Sequence, residues 1–212
     1  QTLLVELRRH FHSHPELSFH EKNTAEKISS LLTEWGIEHR TGVAGYGITG
    51  YLLGRNPDKR RIALRADMDA LPIQEANECS YVSRNPGVMH ACGHDVHMTW
   101  LLGCLRILRQ TREEWEGTIQ FLFQPGEEVL PGGASLMIKE GVFDDLKPEL
   151  IIGQHVHPGL PVGQVGMNEG TFMASCDEIY LSIHGKGGHA ALAHLCIDPL
   201  PIAAEILLSL QT

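Results

Sequence analysis

The stretch MHACGHDVHMTW sets Cys92, His94, Asp95 and His97 within six positions. Thiolate and imidazole are both ligands for borderline-soft divalent cations, and Gly93 lets the backbone turn tightly enough for Cys92 and His94 to face one ion. The same histidines could equally cap or pack against the helix that follows. A second stretch, FQPGEEVLPGG, ends an apolar strand at Pro125 and Gly126 and presents Glu127 and Glu128 side by side. Adjacent carboxylates repel at close range unless a cation separates their roles, one ligating and the other free to move protons. An exposed acidic turn is the plainer alternative. A third stretch, LIIGQHVHPGLPVG, carries His155 where an apolar strand meets a Pro-rich loop, and His157 shares the same side of an extended chain and competes with it. In open α/β sheets the crevice beyond the carboxyl ends of the strands is the usual site, which is where these three stretches would converge.

The elements that must position them are read from periodicity. Apolar residues at helical spacing predict helices over 3–11 (Leu4, Leu7, Phe11) and 23–35 (Ala25, Ile28, Leu31, Leu32, Trp35), ended by Gly36. The glycine-punctuated VAGYGITGYLLG reads as strand and turn, followed by a strand around Ile62–Arg65. A helix from about His97 to Gln110, the strand GTIQFLFQP, a helix from about Gly133 to Glu140 and the strand ELIIGQHV continue the alternation. That order predicts an α/β domain around a largely buried sheet. Composition changes after Val165. A strand-like alternation in EIYLSIHG (Ile179, Leu181, Ile183) and a helix in DPLPIAAEILLSLQT then place a boundary near 172, dividing the chain into 1–171 and 172–212. One strand-turn-helix unit offers too little apolar surface for a self-sufficient domain.

Bulk properties exclude some classes. At 212 residues and 42% hydrophobic the chain can bury a sizeable core. No apolar run approaches the ~20 residues needed to cross a bilayer, and the start lacks a signal-peptide pattern, so a cytoplasmic protein without a membrane span is expected. A net charge of −9 with scattered Lys and Arg argues against nucleic acid. Five cysteines (Cys79, Cys92, Cys104, Cys176, Cys196) form no paired framework and fit reduced thiols. The 13 histidines are the compositional outlier, and imidazole is the commonest metal ligand.

Taken in order, RRHFHSHPELSFHEKNTAEKI, RADMDALPIQE, MHACGHDVHM, FQPGEE, GQHVHPGLPVG and HGKGGHAALAH resemble the M20 metallopeptidases, in the amidohydrolase branch of hippurate hydrolases, auxin-conjugate hydrolases and N-acetyl-diaminopimelate deacetylases. The resemblance covers essentially the whole chain. It implies a zinc-exopeptidase-like α/β catalytic domain with a central mixed sheet flanked by helices, followed by the start of a smaller α+β lid that dimerises. It implies two divalent ions (Zn, or Mn, Co or Ni), with Cys92 bridging them and His94, Glu128 and His155 as further ligands. Glu127 would be the general base. Asp69 would orient a metal-bound histidine from behind, a role for which Asp67, Asp95 and His97 are nearby candidates. His189, in the lid, would donate to the oxyanion in the partner subunit's site of a homodimer. Two departures stand out. The family's last ligand, a His near the C-terminal end of the catalytic domain, is not in this sequence, so the second metal site is incomplete and the parent protein is expected to be longer. Ala193 also stands where the lid motif HAAxPH has Pro.

The activity implied is hydrolysis of the amide of an N-acyl amino acid or small peptide by metal-activated water. Two alternatives belong to other classes: a thiol hydrolase with Cys92 as nucleophile, which leaves the paired glutamates unexplained, and a truncated metal-binding fragment that catalyses nothing.

Overall fold

The computed structural model describes residues 2–174 and 177–211. It divides into two compact units, residues 1–159 and 160–212.

In the first unit the central strand explains the layering. β4 (Thr118–Gln124) is buried along its whole length, and its side chains alternate between two cores as a strand's must. Ile119, Phe121 and Phe123 enter one cluster, while Leu122 enters another with Val43, Ala63, Met137 and Val142. Gln120, also on that second face, donates from Nε2 to the Val142 carbonyl at 2.7 Å. The larger cluster is covered by three helices. α1 (Thr2–Ser13) supplies Leu7 and Phe11, and α2 (Lys22–Glu34) supplies Ala25, Ile28, Leu31 and Leu32. α3 (His94–Gln110) supplies Met98, Leu101, Leu102 and Leu105. These are the i, i+3, i+4, i+7 spacings of buried helix faces. α4 (Gly133–Lys139) lies on the opposite face through Met137.

The sheet also contains β1 (His39–Val43), β2 (Gly47–Leu53), β3 (Arg61–Asp67) and β5 (Leu150–Gly153). Its order is β1-β2-β4-β3-β5, antiparallel on the β1-β2-β4 side and parallel for β4-β3-β5. The mixed sheet flanked by helices is therefore present. β5 departs from the expected buried strand: all four of its residues are exposed, because it forms one edge of the sheet among the described residues. α3 begins at His94, three residues earlier than periodicity indicates, with Gly93 in the left-handed region (φ 84°) as its N-cap.

In the second unit α5 (Pro199–Ser209) is capped by Asp198, whose Oδ1 accepts the Leu200 N–H at 2.9 Å, with Pro199 opening the helix. The strand expected over 178–185 is not formed. Among the described residues the only pairing nearby is an isolated bridge between Lys186 and Ile197, and an alternating segment without a ladder partner has nowhere to place its backbone hydrogen bonds. None of the described residues in 160–211 is buried. Cys79, Cys92, Cys104 and Cys196 are free thiols, and Cys176 lies outside the described residues. No helix among the described residues is long and apolar enough to cross a membrane.

Candidate metal centre

β3, β4 and β5 run parallel, so their carboxyl ends open on the same side, and α3 starts there. β3 ends in Asp67 and leads to Asp69, β4 leads through Pro125 and Gly126 to Glu127 and Glu128, and β5 leads to His155. The turn after β4 is pinned by Glu21, whose Oε1 accepts the Gly126 N–H at 2.7 Å. Gly126 itself has φ 53°, and a Cβ there would sit 2.3 Å from the Phe19 ring. Only glycine fits that turn without strain.

Ligand atoms of Cys92, His94 and His155 lie within 4.8 Å of one another, as do those of His94, Glu127 and Glu128. Cys92 Sγ is 3.3 Å from His155 Nε2, and His94 Nε2 is 3.7 Å from Glu128 Oε1 and 3.9 Å from Glu127 Oε2. Hydrogen bonds to backbone carbonyls set both imidazole tautomers. His94 Nδ1 donates to the Asp69 carbonyl at 2.8 Å, and His155 Nδ1 donates to the Val156 carbonyl at 2.7 Å. A carbonyl only accepts, so each Nδ1 carries the proton and each Nε2 offers its lone pair to the cluster.

The donor set fits a divalent cation. His94 Nε2 and Glu128 Oε1 are buried without a hydrogen-bond partner, an arrangement that leaves desolvated lone pairs uncompensated. The 3.3 Å Cys92–His155 separation is near the ~3.5 Å edge that ~2.3 Å Zn–S and ~2.0 Å Zn–N bonds would give in a tetrahedron. The charges agree. Burial, then the Glu128 carboxylate, with Glu127 and Asp67, push the Cys92 thiol up to about 12. Burial, then Glu128 and Asp67, raise Glu127 as well. A thiol and a carboxyl that both resist ionisation beside further carboxylates are what a cation relieves.

Asp69 sits beneath the donors. Its Oδ1 lies 3.4 Å from His94 Nδ1, and its Oδ2 accepts the Glu128 N–H at 2.9 Å and the Ser18 hydroxyl at 2.7 Å. It thus braces together the two segments that carry His94 and Glu128. Burial opposes its ionisation, but these hydrogen bonds outweigh it and hold its pKa low. For His94 burial works against the charged ring, and the Asp69 hydrogen bond with the Asp67, Asp69 and Glu128 charges prevails, raising its pKa.

The other candidates have further partners, although Asp67 Oδ2 also lies 3.6 Å from His94 Nε2. Asp67 takes His97 Nδ1 at 2.7 Å on one oxygen and Arg65 at 2.6 Å on the other. Asp95 turns away, accepting His12 Nδ1 at 2.7 Å and pairing with Arg8 at 3.0 Å, while His12 Nε2 reaches Glu75 at 3.0 Å. This network ties α1 to the first turn of α3. Sequence reasoning missed it and the Glu21–Gly126 contact, since partners 83 and 105 residues apart leave no local spacing signal. His157 is exposed and joins none of these donor groups. His189 belongs to the second unit, where it caps the short 3-10 turn Ala190–Leu195, its Nδ1 accepting the Ala191 N–H at 3.1 Å.

Fold and donor set together define an α/β domain with a candidate metal centre at the carboxyl ends of its parallel strands. The chain belongs to the peptidase family M20/M25/M40, whose model matches residues 63–207. It is 44% identical over 211 residues to an N-acyl-L-amino acid amidohydrolase of Geobacillus stearothermophilus, covering 100% of this chain and 56% of that protein. It is 43% identical over 212 residues to the N-acetylcysteine deacetylase of Bacillus subtilis (strain 168), covering 100% of this chain and 55% of the relative. Among solved structures it is similar to the Bacillus subtilis YXEP protein, described as a dinuclear metal binding peptidase from the M20 family, with a TM-score of 0.75 and 43% identity over 80% of this chain and 47% of that one. The chain therefore spans about half the length of the curated relatives it matches.

Proposed function

We propose that the protein of which this chain forms at least the N-terminal catalytic part hydrolyses the amide bond of N-acyl amino acids or small peptides in a metal-dependent reaction. The observation that carries the reading is the gathering of Cys92, His94, His155 and Glu128 around lone pairs aimed at one another, with a second, half-exposed carboxylate, Glu127, alongside. Relatives named for N-acyl-L-amino acid and N-acetylcysteine hydrolysis support the substrate class.

Cys92, His94, Glu128 and His155 would hold the metal, with Asp69 fixing His94 and Glu128 from beneath. When bound, two divalent ions (Zn, or Mn, Co or Ni) acidify water toward neutral pH and polarise the amide carbonyl. Glu127 accepts the proton that the attacking water loses and returns it to the departing amine nitrogen, so the proton count closes over one turnover. In the same reading residues 172–212 open the smaller lid domain, through which the protein dimerises, and His189 donates to the tetrahedral oxyanion in the partner's site.

The Cys92–His155 contact at 3.3 Å favours a second reading, a thiol hydrolase. Against it, a thiol held near 12 supplies almost no thiolate at neutral pH, and the glutamate pair has no part to play. The test is hydrolysis of hippurate and N-acetyl amino acids by the full-length protein with Zn²⁺, Mn²⁺, Co²⁺ or Ni²⁺. Glu127→Gln is expected to lower kcat by about 10²–10⁴-fold while leaving metal bound. Activity indifferent to chelator, or to that substitution, rejects the mechanism.

A further inference from the structure

We infer that His97 is a positioning residue, a strut that holds Val156 and through it aims His155 at Cys92, and is not itself a metal ligand. By type and spacing it looks like a ligand: one turn beyond His94, it has a ring nitrogen within 4.8 Å of donor atoms on Asp67 and His94. Its hydrogen bonds say otherwise. Nδ1 donates to Asp67 Oδ1 at 2.7 Å, and Nε2 accepts the backbone N–H of Val156 at 3.0 Å. One neutral tautomer satisfies both contacts and leaves no lone pair for an ion. The Asp67 side of the strut is fixed in turn, because Arg65 holds the second carboxylate oxygen at 2.6 Å and also donates to Gln124 at 2.8 Å.

Val156 is where this matters. His155 Nδ1 donates to the Val156 carbonyl, so the one residue is gripped by its amide from α3 and by its carbonyl from the candidate ligand. The Val156 side chain closes over Gly93, whose Cβ, if present, would lie 2.3 Å from Val156 Cγ2. His155 follows β5, an edge strand exposed at all four residues, and lies in a segment without regular structure. A buried side chain on α3, 1% exposed, is the tie that converts that loose exit into a defined position for the His155 ring.

The consequence for metal affinity rests on the metal-site reading above, whereas the strut stands on the hydrogen bonds alone, and the experiment separates the two. In full-length protein labelled with ¹⁵N, His97 is expected to show the Nδ1–H tautomer without metal and to keep it when Zn²⁺ is added. His97→Phe is expected to accelerate hydrogen exchange at the Val156 amide. Its Zn²⁺ stoichiometry should be unchanged and its affinity lowered by about 10–100-fold, the usual consequence of losing a group that orients a ligand. His97→Gln, which keeps one donor and one acceptor, should restore most of both. A His97 nitrogen resonance that moves on adding Zn²⁺, or the loss of one equivalent of Zn²⁺ in His97→Phe, would overturn the proposal by making His97 a ligand. Unchanged Val156 exchange and Zn²⁺ affinity in His97→Phe would overturn it by making the residue idle. If His97→Phe does not fold, the wild-type tautomer and His97→Gln decide. If the wild type binds no Zn²⁺, the metal reading fails while tautomer and Val156 exchange still decide the strut.

Discussion

Glu127 and Glu128 have the same chemistry and adjacent positions, and their surroundings give them different work. Glu128 is fixed at its backbone, where its N–H donates to Asp69, and its Oε1 is buried 3.7 Å from His94 Nε2. Glu127 has a side chain 40% exposed, so solvent reaches its carboxylate. The pair should therefore separate on substitution. Glu128→Gln is expected to weaken Zn²⁺ binding by at least about 10–100-fold, whereas Glu127→Gln should leave affinity within a few-fold. Competition against a chromophoric chelator measures both. Equal losses in the two variants would count against the division of roles. At this scale the sequence was informative about identity and poor about orientation. Cys92, His94, Glu127, Glu128 and His155 stood out by type and spacing, and their side chains do come together. The reason Nε2 and not Nδ1 faces the cluster lies in the Asp69 and Val156 carbonyls, which no side-chain pattern encodes.

The elements deliver these groups through a few tight contacts between chain ends. Gly93, in the left-handed region, starts α3 directly under Val156. Gly93→Ala adds a methyl 2.3 Å from Val156 Cγ2 on backbone that L-residues avoid, and is expected to destabilise the fold by about 1–3 kcal/mol. Urea denaturation measures it, and a loss below a few tenths would show that the loop yields freely. The start of α2 makes a comparable contact through Glu21, which is fully buried and holds the turn that presents Glu127. Burial above all raises its pKa from the ordinary 4.5, with the Asp69 charge adding to the effect against the backbone hydrogen bonds. A raised folded pKa means that Glu21 favours folding below about 4.5 and that this contribution is lost as pH rises through the folded value. Glu21→Gln carries no charge at any pH. The stability of the variant relative to wild type should therefore climb from about pH 4.5 upward and then level off, and a difference that stays flat between pH 4 and 8 would refute the assignment. Periodicity found α1, α2, β4 and α4 because each alternates or repeats against a core. It started α3 too late because His94 and Asp95 are polar residues buried by partners from the segment after β3 and from α1, so the first turn carries no apolar signal.

At the scale of the whole molecule, the first unit contains all the proposed metal-binding donors and every buried apolar side chain among the described residues, while the described part of 160–211 buries none. The alternation in 178–185 misled for that reason. A strand is specified by its neighbours, and the described residues supply none. A site assembled from β3, α3, the β4–α4 turn and the β5 exit also links stability to metal, since the unfolded chain cannot hold these donors together. Free Zn²⁺ at a hundred times its dissociation constant contributes about 2.7 kcal/mol to the folded state. For a chain of this size that corresponds to a rise in Tm of roughly 5–11 °C. The rise should be reversed by chelator and abolished in Cys92→Ser combined with His94→Gln, whose donors are gone. It should survive in Glu127→Gln, where the ligands remain. A Tm that ignores Zn²⁺ in the wild type, or that rises as far in the double variant, would mean that the four donors lie together without binding the ion they are arranged to receive.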